Sequence, residues 1–457
     1  MTEEAAPLLP PGRVVSRYAR RWDMLVLLSV LGLLHNIIWN TWGPLVQTTS
    51  KLYNWDRSTI ALYANINSIM FIIMCVPSAF IIRKSLKTAL LLASGAMALG
   101  TCLRAAFLSD PEGSPQQFTI FCNICAVLNG ISSPLIGCGT MLLAFLWFPQ
   151  EELGTALTIS QIFYNLGPGL PFLMAKQMVQ PMDNITNTTM PSNSDLNNDM
   201  QWYLYSQAIP AALFFIFIVI YFPSGPSRPS RRDLGDKARE FFEIMQRLVI
   251  KKTSWLIALG SAIPQGIMRV WLAMVVYDFQ AICFGPEFGC IAQSWINTLA
   301  IFASVGSTVA GIAAVRIINL SNRHLKITVC VLYSLAIVDF LYLTLVSLGI
   351  VHSASVVKAH ISIFFLTVTG YSLITSSLPL TLKLAMNIMS PSSDMSHVKH
   401  SEITVAMWLN FWLNLISIIF LTMLSISGLP TIWLHFILPL ASLAGLSLLL
   451  PLRVHTE

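Results

Sequence analysis

Charge is scarce in this chain. Asp, Glu, Lys and Arg together make up 11% of its 457 residues, whereas 55% are hydrophobic. A soluble domain is about a quarter charged, so 27 basic and 21 acidic side chains cannot cover the water-facing surface of globular cores of this size. That shortage excludes a soluble enzyme, a disordered chain and a nucleic-acid binder. Paired metal-ligand motifs are missing too. Cys122 and Cys125 have the spacing of a half-site, but no second pair accompanies them, so they read as small apolar packing residues, and no metal or cofactor is expected. A membrane-embedded acyltransferase would need a His with an Asn or Asp partner near one face. His35 with Asn36 is too weak a pair for that, and no nucleophile stands beside it, so the chain does not read as an enzyme. A cleavable signal peptide is also lacking, because the first apolar run begins only at Trp22, is too long and has no small-residue cleavage site.

What is present is a series of long apolar runs. A helix needs roughly 20 mostly apolar residues to cross the hydrocarbon layer, where lipid cannot satisfy open backbone groups. Twelve such runs lie near 22–48, 56–82, 87–108, 117–148, 153–178, 202–222, 253–279, 291–317, 325–349, 356–384, 402–427 and 430–452. They form two six-helix halves, 22–222 and 253–452, joined by a linker at 223–252 and flanked by tails at 1–21 and 453–457. The expected fold is therefore an all-α membrane protein of twelve transmembrane helices in two halves, the organisation of a duplicated transporter core.

The basic residues set the orientation. Placing the N-terminus in the cytosol puts 21 of 27 Lys and Arg on the cytosolic face, five on the other (Lys51, Arg57, Arg104, Lys176, Lys358) and one, Arg269, inside a span. Both termini are then cytosolic, and the net charge of +6 belongs to topology and lipid contact. The loop 180–200 on the opposite face carries two N-glycosylation acceptors, Asn184 and Asn187, in a stretch that also reads as an Asn/Ser/Thr-rich loop. Cys283 and Cys290 bracket a second loop on that face, where an oxidising lumen would permit a disulfide. In the linker, apolar residues at 241, 242, 245 and 248 with charges between them suit a helix lying on the cytosolic membrane surface.

Polar side chains inside spans are the informative ones, because each is costly unless it faces protein or a water-filled cavity. Four helices carry them one turn apart: Asn36 and Asn40 with His35 and Trp39 in the first, Gln161 and Asn165 before Gly167-Pro168-Gly169 in the fifth, Gln265 and Arg269 in the seventh, and Asn410 and Asn414 in the eleventh. A break after Asn165 follows from Pro168 and Pro171. Any one amide can also serve simply as a tie between helices. Taken together, Trp39, Asn40, Gln161, Asn165, Gln265, Arg269, Asn410 and Asn414 are expected to line a substrate site between the halves. A cavity of amides and Trp suits a small polar or cationic solute, whereas Arg269 would favour an anionic group or pair with a carbonyl at a broken helix. His35 is the candidate for proton coupling, or else a hydrogen-bonded His in a helix interface. Asp339 reads as the one carboxylate deep in a span, in a structural role.

Several strings resemble a known family. Arg20-Arg21-Trp22 is followed by Trp39-Asn40-Thr41-Trp42-Gly43-Pro44. Leu128-Asn129-Gly130 with Pro134, then Trp147-Phe148 with Glu152, Thr155 and Ala156, continue the likeness, and Ala262-Ile263-Pro264, Trp271, Pro379 and Pro391 extend it more loosely. With twelve spans, these resemble solute carrier family 49 of the major facilitator superfamily, most of all its lysosomal member. Two departures stand out: the loop 82–87 lacks the superfamily's Asp and Gly, and the family's paired acidic residues of the tenth span are here Lys383 and Asn387. The segment 389–401, with His397 and His400, reads as a long cytosolic loop.

The resemblance implies a carrier that alternates access around a central cavity. Glu4, Leu8 and Leu9 form an acidic dileucine pattern like that of the lysosomal member, which implies sorting adaptor complexes as partners and a lysosomal or late-endosomal membrane, with the plasma membrane as the alternative. A small-molecule substrate, protons and membrane lipids are the other partners, and nucleic acid is not one. The family's substrates imply a pyridoxine-like vitamin exported with protons, haem, or a choline- or ethanolamine-like cation; a non-transporting sensor or receptor is the remaining alternative.

The topology has a direct test. Treatment with an N-glycosidase should increase the gel mobility of the membrane-expressed protein, and Asn184→Gln with Asn187→Gln should abolish the shift. An unshifted wild-type band removes the sequons as support for this orientation.

Overall fold

The computed structural model describes residues 21–108, 115–148, 150–180, 192–222, 231–280, 282, 291–320, 324–350, 356–389, 395–426 and 433–452. All regular structure among them is helical. The first span is α1 (Arg21–Trp39), a 3-10 turn (Gly43–Leu45) and α2 (Val46–Tyr53). Then come α3 (Arg57–Lys84), α4 (Leu86–Ala106) and α5 (Pro115–Trp147). The fifth span is split into α6 (Gln150–Leu166) and α7 (Leu170–Met178), and α8 (Asn193–Tyr221) closes the first half. After the linker helix α9 (Arg231–Ile250), the second half contains α10 (Lys252–Phe279), α11 (Gln293–Leu320), α12 (Leu325–Ser347), α13 (Val356–Met389), α14 (Met395–Ser425) and α15 (Trp433–Leu449). Ten stretches among the described residues are long and apolar enough to span a bilayer. The split pair α6–α7 and the shorter α15 complete the twelve.

Local chemistry sets several ends. Asp56 caps α3 by accepting from the Thr59 amide at 2.9 Å, Ser85 caps α4 and Ser192 caps α8. Asn54 takes a left-handed conformation (φ 55°) that ends α2. Prolines sit inside α3, α5, α8, α10, α13 and α15, which membrane helices tolerate because neighbouring helices satisfy the freed carbonyls. Large apolar side chains such as Leu213, Ile220, Val309, Val338 and Phe365 stand exposed on α8, α11, α12 and α13, where they suit lipid.

Within each half, neighbouring helices pack closely, notably α4 with α5 and α8, and α10 with α14 and α15. The halves meet along α3 with α14 and along α6–α7 with α11. Several polar contacts between them lie toward the end of the bundle holding Tyr53 and Phe279. There Gln293 donates to the Pro44 carbonyl, Lys176 Nζ lies 2.9 Å from Thr298 Oγ1, and Arg57 Nη2 lies 3.3 Å from the Ile426 carbonyl. Gly43 allows this approach: a Cβ at that position would stand 2.9 Å from the Ala273 carbonyl.

Several details differ from the sequence expectations. Arg104 is not at a membrane surface but buried in α4, donating to Gln207 Oε1 at 2.8 Å and Thr41 Oγ1 at 3.3 Å, with its guanidinium 5.3 Å from the Trp42 ring. Arg269 is thus not the lone cation within a span. Nor is Asp339 the most deeply placed carboxylate. It is only part-buried, whereas Asp278 is buried in α10, accepting from Trp271 Nε1 at 2.8 Å and facing His435 Nδ1 at 3.3 Å. Lys383, counted with the cytosolic face, lies within α13, and α14 begins at Met395, so His397 and His400 are helical. For Arg104 and Asp278 the cause is shared: near a helix end, side-chain partners decide between burial and solvent, and those partners come from other helices. The dileucine residues Glu4, Leu8 and Leu9, the sequon residues Asn184 and Asn187, and Cys283 and Cys290 lie outside the described residues.

Close helix packing predicts a glycine sensitivity. At Gly266 an added Cβ would lie 2.7 Å from the Leu413 carbonyl, which is backbone and cannot swing aside, whereas at Gly137 nothing lies within 4 Å. Gly266→Ala should destabilise by about 1–3 kcal/mol and lower the melting temperature of the detergent-purified protein; Gly137→Ala should leave it unchanged or higher. Equal melting of the two variants would refute this account of the α10–α14 contact.

Candidate substrate cavity

A cavity of about 620 Å³ lies between the halves. Its wall draws on α1, α3, α5 and α6 from one half and on α10, α13 and α14 from the other. The lining runs from His35, Pro168 and Arg269 at mid-depth toward Leu28, Leu157, Lys383 and Met386, that is, toward the end holding Arg21 and Lys252. The opposite end is where the halves close on each other.

Arg269 stands out on α10. Every other residue from Pro264 to Val276 is buried, and Arg269 alone retains exposure, which the cavity supplies. Its guanidinium lies 5.5 Å from the Trp39 ring and 5.6 Å from the Tyr164 ring. Cation–π contacts are worth about 0.5–1 kcal/mol where the cation is exposed and about 2 kcal/mol where it is desolvated, which helps to hold a part-buried cation at this depth.

The amides serve two purposes. Gln161 Nε2 donates to Asn165 Oδ1 at 2.8 Å, and Asn165 reaches across the halves to the Ser307 carbonyl at 3.4 Å. Gln265 donates to Ser377 Oγ at 2.8 Å and lies 3.4 Å from the hydroxyls of Tyr333 and Thr381, tying α10 to α12 and α13. These three, with His35, Arg269 and Asn410, lie on the cavity wall. Trp39, Asn40 and Asn414, expected there from the sequence, are buried behind it. Trp39 backs the Arg269 guanidinium, Asn40 donates to the Pro168 carbonyl at 2.7 Å where the fifth span breaks, and Asn414 donates to the Asn410 carbonyl within α14.

His35 is buried at the wall, its Nδ1 3.0 Å from Asn129 Oδ1, while Asn129 Nδ2 lies 3.4 Å from the His35 carbonyl. The pairing couples α1 to α5. Glu152 meets Arg21 across the starts of α6 and α1 at 2.6 Å, so two residues of the family-like motifs form an ion pair at the open end of the bundle.

Sequence reasoning missed α3, which contributes Phe71, and also α5 and α13 as walls. The polar contributions of α5 and α13, Ser133 and Thr140 from one and Tyr371, Thr375 and Lys383 from the other, are mostly hydroxyls spread over long apolar helices, without the one-turn polar pairs that mark α1, α6, α10 and α14. Tyr164 was legible in principle, lying between Gln161 and Asn165 on α6.

Comparison with known proteins agrees with this architecture. The sequence matches the Major Facilitator Superfamily over residues 28–393. It is 26% identical over 350 residues to the solute carrier family 49 member 4 homolog of Xenopus tropicalis, covering 76% of this chain and 74% of that one. It is 22% identical over 386 residues to the choline/ethanolamine transporter flvcr2a of Danio rerio, covering 82% and 76%. Among solved structures, the D-xylose–proton symporter superposes with a TM-score of 0.64 at 15% identity, covering 94% of this chain and 97% of that one, a likeness of fold. The chain belongs to the Major Facilitator Superfamily and is a multi-pass membrane transporter, not an enzyme.

Proposed function

We propose that this transporter moves a small organic solute across the lysosomal or late-endosomal membrane by alternating access, exporting it from the acidic lumen with protons. The observation that carries the reading is the 620 Å³ cavity at the junction of the halves, which extends toward one end of the bundle while the halves close at the other. Its volume falls in the range of roughly 300–1,000 Å³ typical of small-molecule sites. The Lys and Arg bias assigns the open end to the cytosol, so this conformation is the one that releases an exported solute.

Likeness to solute carrier family 49 favours a pyridoxine-like vitamin, whose ring would find Tyr164 and Tyr371 on the wall. The choline- and ethanolamine-type alternative, carried by the Danio rerio relative's name, meets an obstacle here. The aromatic faces of Trp39 and Tyr164 that would hold an ammonium already hold Arg269. Haem needs a flat apolar slot, whereas polar groups face this cavity from both halves.

His35 is the group we assign to proton coupling, because an imidazole can gain and lose a proton and this one lies on the wall of the substrate path. Asn129 orients the ring. In proteoliposomes with an imposed pH gradient, acidification on the lumenal side should stimulate wild-type transport. His35→Ala and the better-packing His35→Gln should both lose the stimulation. Retention of wild-type stimulation in either variant removes His35 from the coupling role.

Sorting is read from Glu4, Leu8 and Leu9. Leu8→Ala with Leu9→Ala should move the protein from the lysosomal to the plasma membrane, measured by surface biotinylation. Unchanged lysosomal residence rules out this signal, and wild-type residence at the surface favours the plasma-membrane alternative.

A further inference from the structure

We propose that the cavity selects a small amphipathic organic anion, a carboxylate carried on an apolar ring or chain, through Arg269 and Lys383. The inference rests on the transport reading above and names the substrate class of that same site. Two fixed cations face the cavity from α10 and α13, and none of the described residues lining it is Asp or Glu. Arg21 pairs with Glu152 and His435 with Asp278, so the acidic partners in those pairs are engaged elsewhere.

A cation inside a membrane protein is costly, and such residues ordinarily pair with one another or mark a substrate path. Arg269 is held by the faces of two rings, which stabilise its charge without cancelling it. A guanidinium fixed in this way suits a carboxylate, which it can bind through two parallel hydrogen bonds. Lys383 stands four residues beyond Pro379 on α13 and is only part-buried, so its ammonium lies nearer the open end. The two charges therefore lie at different depths along one path. An ammonium near the mouth raises the local concentration of anions, and the guanidinium farther in gives them a defined seat.

The remainder of the wall sets the body of the ligand. Leu28, Phe71, Ile136, Leu157, Leu382 and Leu413 supply apolar surface around the charged groups. A bare inorganic anion would leave that surface in contact with water, whereas a ring or short chain would cover it. Cationic solutes face the reverse situation. They would enter a site that repels them twice and offers no described carboxylate in return.

The test uses purified full-length protein and three probes that share one ring: 4-pyridoxate, pyridoxine and pyridoxamine, bearing a carboxylate, an alcohol and an amine at one substituent. Binding is read in detergent from the shift in melting temperature across a concentration series, and transport from counterflow in liposomes. The carboxylate should bind at least about ten-fold more tightly than the other two, as expected for a charge-assisted bidentate contact. Arg269→Gln should abolish the preference, Lys383→Gln should reduce it, and Lys383→Glu should shift it toward pyridoxamine. Lys383 is part-buried, so its variants keep the test in force if Arg269→Gln fails to assemble, as judged by size-exclusion chromatography. Equal or tighter binding of pyridoxine or pyridoxamine overturns the proposal, as does binding of none of the three, or a preference untouched by the Lys383 variants. Inorganic phosphate binding as tightly as 4-pyridoxate overturns the amphipathic part. Selective binding of the carboxylate without counterflow would count against transport while leaving the anion site standing. Counterflow of pyridoxine with no charge preference would do the opposite.

Discussion

A helix that breaks inside a membrane exposes backbone groups that lipid cannot satisfy, and much of the cavity depends on how this chain meets that constraint. The fifth span breaks between Leu166 and Leu170, and Asn40 Nδ2 donates to the freed Pro168 carbonyl at 2.7 Å. That bond pins the end of α1 against the break. Trp39, the residue before Asn40, then stands with Tyr164, just before the break, as the two faces that hold Arg269. A hydrogen bond between membrane helices contributes only about 1 kcal/mol. Its importance here is positional, because it fixes which side chains converge.

This dependence explains what could be read from the sequence and what could not. The two six-helix halves are legible because lipid imposes length and apolarity on every span, so each helix announces itself alone. The break in the fifth span is legible because proline forbids the regular ladder. The division of labour among the amides is not. Asn40 and Gln161 look alike in a sequence, each an amide one turn from another, yet one supports a backbone carbonyl behind the wall and the other faces the cavity. The difference lies in helix rotation, which is set by packing against neighbours and leaves no signal at the residue itself. Arg104 shows the same limit: its position near a helix end suggested a surface residue, and only Gln207 and Thr41, from elsewhere in the bundle, reveal that it is buried.

Charge is distributed in a way that separates structural from functional groups. Arg104 and Asp278 are both buried and each is tied to side chains of its own half: Arg104 donates to Gln207 and Thr41, and Asp278 accepts from Trp271 and faces His435. Groups tied in this way hold helices together, and both lie away from the cavity wall. Arg269 is different. Its contacts are ring faces, which lower the energy of the charge but leave the guanidinium's hydrogen-bonding capacity unspent. The two kinds of arginine within one bundle show that burial alone does not identify a site; the decisive property is bonding capacity left unspent on the cavity wall.

The same contrast bears on movement. Inside each half, buried polar groups tie the helices: Arg104 joins α4 to α8 and the turn after α1, and Asp278 joins α10 to the start of α15. Between the halves, the ties at the closed end are of another kind. Lys176 to Thr298 and Arg57 to the Ile426 carbonyl are solvent-exposed, Gln293 to the Pro44 carbonyl is buried but joins two uncharged groups, and Gly43 meets Ala273 as backbone against backbone. Separating exposed contacts exchanges them for water at small net cost, whereas opening a buried network would strand charged groups in a medium of low dielectric. The weaker seam therefore lies between the halves. A bundle built this way parts there first and keeps each half intact, and that is the mechanical condition for exposing one central cavity to the two sides of a membrane in turn.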